Sequence, residues 1–111
     1  MSTTPTEFQA DAGARRALEV QLYTLVGRPV AEIRITRVKW PEGKRWVALA
    51  LAPNRREIPM REGGLHHQAA VILRHAFPSA NWAVAQDYDV ATGTLRQHVT
   101  PVPASLRRGR R

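Results

Sequence analysis

The sequence predicts a single α+β domain in which one antiparallel sheet of about five strands packs against one helix. The chain has 111 residues, 43% of them hydrophobic, which suits one domain with its own core. Two pairs of strand-like segments are each joined by a short loop containing glycine, as in β-hairpins. Between the two pairs lies one segment with helical spacing. We therefore expect the order β-β-β-α-β-β, in which the first strand has a helix as its alternative.

The first element is ambiguous. In ALEVQLYTLV, residues 17–26, the side chains of Leu18, Leu22 and Leu25 would share one side of a helix. Leu18, Val20 and Leu22 also alternate with polar residues, as in a half-buried strand. We favour the strand.

The next two strands form the clearest local signal. Residues 30–40, VAEIRITRVKW, are rich in β-branched side chains, and WPEGKRW follows at residues 40–46. A type I turn at Pro41 and Glu42 followed by a left-handed Gly43 predicts a three-residue hairpin loop. This loop places Trp40 opposite Lys44 and fixes the register of the hairpin.

The register assigns side chains to two faces, because successive residues of a strand point to opposite sides. One face is aliphatic and is the expected core face: Ile33, Ile35, Val47, Leu49 and Leu51. The other face combines Trp40, Trp46 and Val38 with Arg34 and Lys44. Arg37, Lys39 and Arg45 crowd the loop end of the core face.

A helix is expected over residues 65–77, and Pro78 ends it. Its apolar arc consists of Leu65, Ala69, Ile72, Leu73 and Ala76. Residues 81–90 and 94–99 then form a second hairpin around Ala-Thr-Gly. The predicted organisation is a flexible leader at 1–13, a globular domain at 14–100 and a basic disordered tail at 101–111.

The positive charge is concentrated in two zones. The net charge is +8, and its 17 basic residues comprise fifteen Arg and two Lys. Residues 28–61 carry nine basic and three acidic side chains, and residues 107–111 carry four arginines with no acid. Arginine suits bidentate contact with phosphates and stacking on bases.

This distribution predicts a small non-enzymatic protein that binds nucleic acid, DNA or RNA. On such a surface the tryptophan rings can stack on bases while the neighbouring cations neutralise phosphates. A short arginine tail binds polyanions without sequence preference. The candidate binding residues lie on the first hairpin, on the loop after it and in the tail: Arg34, Arg37, Lys39, Trp40, Lys44, Arg45, Trp46, Arg55, Arg56, Arg107, Arg108, Arg110 and Arg111.

The alternative function is a protein-interaction adaptor or inhibitor. In this alternative the tryptophan-containing sheet face docks on an acidic partner or forms a homodimer. Salt dependence separates the alternatives, because phosphate binding weakens with salt, whereas a tryptophan-centred protein interface resists it.

The residues do not form a recognisable catalytic or metal site. The chain has no cysteine, and its serines lack the glycines of a nucleophile elbow. His67 and His75 are eight residues apart, roughly 12 Å along a helix, which is too far for one metal ion. A site recruiting His98, Asp87 or Glu62, or a cation held by Asp87 and Asp89, remains an alternative. We predict no cofactor and no catalytic residue.

The N-terminal residues have neither a basic start nor an apolar run, and no apolar stretch approaches the roughly 18 residues of a membrane helix. We therefore expect a cytoplasmic protein without a membrane partner.

Overall fold

The computed structural model describes residues 7–61 and 63–98, and its elements follow from local sequence signals. The elements are β1 (Glu7–Gln9), α1 (Ala12–Val26), β2 (Glu32–Trp40), β3 (Gly43–Leu51), β4 (Glu57–Ile58), α2 (Gly63–Ala76), β5 (Gln86–Asp89) and β6 (Thr94–Gln97). Within these residues the strands form one antiparallel sheet of six strands in the order β1-β6-β5-β2-β3-β4. The α+β class, the central helix and the presence of two hairpins are as expected. The strands of the second hairpin are shorter than the predicted 81–90 and 94–99, and Asp89 pairs with Thr94 across a four-residue loop.

The core lies between one face of the sheet and the two helices. The fully buried sheet residues Ile33, Ile35 and Tyr88 belong to one cluster with Leu22 of α1 and Leu73 of α2. The charged and half-exposed residues that alternate with them point to the opposite face, which no described element covers. We call this uncovered side the open face.

Residues 17–26 are helical, so our preference for a strand was wrong and the helical alternative is correct. The helix begins earlier than the ambiguous segment, after Asp11, whose carboxylate accepts a hydrogen bond from the Ala14 amide at 2.7 Å. It ends at Gly27, in the left-handed conformation with φ 86°. Leu18 and Leu22, one turn apart, are its buried residues.

Two short strands were not predicted. Residues 7–13 were assigned to a flexible leader, but they contain β1 and the start of α1. Phe8 of β1 pairs with Leu95 of β6, and its ring meets the Phe77 ring edge-on with centroids 6.4 Å apart. The two-residue β4 lies in the expected loop after β3. Residues 1–6 and the predicted tail at 101–111 lie outside the described residues.

The hairpin register differs from the predicted one by one residue. Gly43 has φ 139° and pairs with Trp40 as the first residue of β3, so the loop contains only Pro41 and Glu42. Trp46 therefore lies opposite Arg37 instead of Val38. A slip of one residue moves every side chain of one strand to the other face.

This difference of one residue reverses the predicted faces of β3. The buried residues are Ala48 and Ala50, whereas Val47, Leu49 and Leu51, predicted as core, lie on the open face. The corresponding assignments on β2 hold, since Ile33 and Ile35 are 0% exposed.

Candidate nucleic-acid interface

The β2-β3 hairpin extends beyond the rest of the sheet. On one side β5 pairs with β2 only over Glu32 to Ile35, and on the other β4 pairs with β3 only at Ala50 and Leu51. Residues 36–47, which we call the arm, continue for five more residue pairs from Thr36 with Val47 to the turn. Among the described residues, neither outer edge of the arm has a neighbouring strand.

The arm concentrates like charges on one face. Its four basic residues and one acidic residue give it a net charge of +3. Lys39 lies directly opposite Lys44, and Arg37 is the next residue of β2 on the same face. Cross-strand neighbours have Cβ atoms about 5 Å apart, and like charges in that position are destabilising. The folded chain therefore maintains a repulsive cluster at this end of the sheet.

These three cations have no acidic partner in the described part of the chain. Among residues 7–61 and 63–98, no carboxylate lies within 4 Å of the charged groups of Arg37, Lys39 or Lys44, and all three side chains are exposed. Arg45 pairs with Val38 and belongs to the opposite face of the arm. The face with the three uncompensated cations is the one that α2 partly covers.

Trp46 connects the arm to α2. The indole is half-buried against the core, and the Arg74 guanidinium carbon lies 4.7 Å from its ring centroid, within the range of a cation-π contact. This contact places a fourth cation over Trp46, the cross-strand neighbour of Arg37. Arg74 lies outside the predicted apolar arc of the helix, and the sequence does not indicate which strand the helix would meet.

The predicted grouping of Trp46 and Lys44 with Arg34 and Val38 on one face does not form. Trp46 is on the face covered by α2, together with Lys44, whereas Arg34 and Val38 are on the open face. Trp40 ends β2 opposite Gly43, and its side chain lies outside the described part of the structure.

Arg34 belongs to an ion-pair network. Its Nε donates to Asp87 at 2.8 Å, and the other oxygen of that carboxylate lies 2.8 Å from Nδ1 of His98. Arg34 and Asp87 are directly opposite each other on β2 and β5. The arginine is thus compensated within the sheet, whereas no described carboxylate forms an ion pair with Arg37, Lys39 or Lys44.

Arg55 and Arg56 lie at the other end of the hairpin from the turn. They follow Leu51, which is seven residues, or about 24 Å, along β3 from Lys44. Arg55 also pairs with Glu32, with 3.0 Å between its nitrogen and the carboxylate oxygen. The structure thus groups Arg37, Lys39, Lys44 and Trp46 but separates them from these two residues. Arg107, Arg108, Arg110 and Arg111 lie outside the described residues.

The histidines of α2 have different surroundings, and one has a clear structural contact. His66 accepts a hydrogen bond from the Ala48 amide at Nδ1, 2.9 Å away, and its Nε2 donates to the Met60 carbonyl at 2.7 Å. The imidazole therefore takes the place of a neighbouring strand at Ala48, beyond the last residue of β3 that pairs with β4. His67 and His75 are exposed. Among the residues that the structure describes, no three His, Asp or Glu side chains are grouped to hold a metal ion.

Neither described helix is long and apolar enough to cross a membrane. Comparison with known proteins gives no match, since no family model, curated protein or solved structure is significantly similar to the chain.

Proposed function

We propose that the protein is a non-enzymatic nucleic-acid-binding protein whose arm carries the main binding surface. The observation that supports this most strongly is the exposed group of Arg37, Lys39 and Lys44 without an acidic partner among the described residues. A phosphate backbone supplies the missing negative charge at regular intervals. Binding would therefore relieve repulsion that the free protein sustains.

The shape of the arm suits the same ligand. It is a two-stranded ribbon whose outer edges are unpaired, and such a ribbon fits the width of a DNA major groove or lies along a single strand. The guanidinium of Arg74, stacked on Trp46, adds a planar cation that can contact a phosphate or stack on a base.

The arginine tail is a second element of the proposal. Arg107, Arg108, Arg110 and Arg111 would add contacts with phosphates that do not depend on base sequence. In this arrangement the arm determines where nucleic acid lies on the folded domain, and the tail increases the affinity.

The experiment is a fluorescence anisotropy titration of labelled single-stranded and duplex DNA and RNA at several salt concentrations, with the full-length chain. The arm variant combines Lys39→Gln and Lys44→Gln. Its matched control combines Arg28→Gln and Arg56→Gln, which removes two exposed cations at the opposite end of the β2-β3 hairpin. A third variant replaces the four tail arginines by glutamine.

Each phosphate contact contributes about 0.7 to the log-log salt slope on single strands and about 0.9 on duplex DNA. We therefore expect the arm variant to lose about 1.4 to 1.8 from the slope and the control to retain its slope. Equal losses in both variants would indicate attraction by net charge alone. Binding lost only in the tail variant, or a complete lack of binding, contradicts a role for the arm. A protein partner would then be the better hypothesis.

A further inference from the structure

A shallow depression lies at the C-terminal end of α2, beside the face of the arm that carries the cations. Its volume is about 260 Å³, and it is lined by Val71, Arg74, His75, Pro78 and Trp82. Val71 and Pro78 contribute apolar surface, Trp82 an aromatic one, and Arg74 and His75 polar groups that can bear positive charge. This combination differs from the depression on the open face, whose lining has three carboxylates, of Glu32, Asp87 and Asp89, and one cation, Arg96.

Trp82 is held in place by its own contacts. Its Nε1 donates a hydrogen bond to the Phe77 carbonyl at 2.9 Å, and its half-buried ring packs against the core. The remainder of the ring lines the depression. A fixed indole loses little conformational entropy when a second planar group stacks on it.

Arg74 connects the depression to the arm. The same guanidinium that lies over Trp46 also lines the depression. On the face of the arm, Lys44 precedes Trp46 by two residues, about 6.6 Å along the strand. The cations therefore continue from the hairpin turn through Arg74 to the wall of the depression.

We propose that this depression receives an unstacked base of a single strand whose phosphates lie on the arm. The inference rests on the proposed function and specifies its ligand as single-stranded nucleic acid. A base in a single strand can leave its neighbours and stack on Trp82, whereas a base inside a duplex is held between its neighbours. The protein should therefore prefer a single strand to a duplex of equal length.

The test compares the affinities of full-length variants for a 12-nucleotide thymidine oligomer and for a 12-base-pair duplex. Trp82→Ala removes the stacking surface, and Trp82→Phe retains an aromatic ring while removing the hydrogen bond to Phe77. Loss of one stacked base typically lowers affinity by about five-fold or more. We expect this loss for the alanine variant on the single strand, a change within about two-fold on the duplex, and near wild-type binding by the phenylalanine variant.

Val71→Phe provides a second route if Trp82→Ala does not fold, because it fills the depression from α2 and leaves Trp82 in place. It should produce the same selective loss on the single strand. Unchanged single-strand affinity in a folded variant, or equal losses on both ligands, overturns the inference. If Lys39→Gln with Lys44→Gln still weakens binding in that case, the role of the arm stands and only the base site fails. If the arm variant also binds normally, the proposed function fails.

Discussion

Lys44→Glu should make the protein more stable while weakening its binding to nucleic acid. Lys44 lies directly opposite Lys39, and Arg37 is its diagonal neighbour on the same face. The substitution converts a repulsive cross-strand pair into an attractive one. Lysine and glutamate are both depleted in strands, so intrinsic strand propensity contributes little to the difference.

The size of the stability gain can be derived from the cross-strand distance between Lys39 and Lys44. Two unit charges about 5 Å apart in water interact by about 0.8 kcal/mol, and physiological salt reduces this to about 0.4 kcal/mol. Reversing the sign changes the free energy of unfolding by about twice the screened value, and the mobility of exposed side chains reduces this further. We expect a gain of about 0.4 to 0.8 kcal/mol, which raises the Tm of a domain of this size by roughly 2 to 5 °C.

The assay combines thermal unfolding with anisotropy titration of a labelled single strand at fixed salt. Lys44→Glu should raise the Tm and lower the affinity by about ten-fold, because a phosphate contact becomes a repulsion. Lys44→Gln should give about half the gain in stability. Arg56→Glu, with the same change in net charge at the far end of β3, should alter binding much less. A Lys44→Glu variant that is destabilised, or that binds as tightly as the wild type, refutes the reasoning.

Three further predictions concern the scaffold. His66→Ala should lower the free energy of unfolding, measured in urea, by about 1 to 3 kcal/mol, because the Ala48 amide and the Met60 carbonyl lose their hydrogen bonds to the imidazole. The control His67→Ala replaces an exposed histidine and should change the free energy of unfolding by less than about 0.5 kcal/mol. Gly93→Ala should lower the Tm more than Gly27→Ala. Both glycines have a positive φ, but of the two only a Cβ atom added at position 93 would lie within 3.4 Å of another side chain, that of Arg15. Equal losses of Tm would contradict this prediction. Burial raises the pKa of Tyr88 to about 12, and its hydroxyl has no hydrogen-bond partner among the described residues. The free energy of unfolding should therefore fall as pH rises from about 10 to 12, and Tyr88→Phe, neutral or stabilising at pH 7, should remove that loss in alkaline unfolding experiments.

The sequence was informative wherever a local pattern had one physical interpretation. The apolar spacing of the central segment predicted α2, and β-branched runs joined by glycine-containing loops predicted both hairpins. The apolar residues of 17–26 fit both the spacing of a helix and the alternation of a strand. The residues that decide between the two lie outside this segment. Asp11 caps the N-terminus of the helix through the amide of Ala14, and Gly27 caps its C-terminus.

The candidate interface was harder to predict because it depends on register. A glycine after Pro-Glu can either complete a three-residue loop or begin the next strand, and Gly43 does the latter with φ 139°. That single difference places Trp46 on the helix side and explains its contact with Arg74. Packing between Trp46 and α2 is a long-range contact that no local pattern encodes. The charges of the arm were correctly recognised, but their grouping was not.

The most direct test of the central claim is to map the binding surface by NMR. A uniformly ¹⁵N-labelled full-length chain, at 12.4 kDa, is small enough for residue-level amide spectra during titration with a short single-stranded oligonucleotide. We predict that the largest chemical-shift changes lie in residues 36–47, around Arg74 and in the tail, and that the open-face amides near Asp87 and Asp89 stay unchanged. Changes confined to the tail or centred on the open face, with the amides of the arm unaffected, would contradict a binding role for the arm.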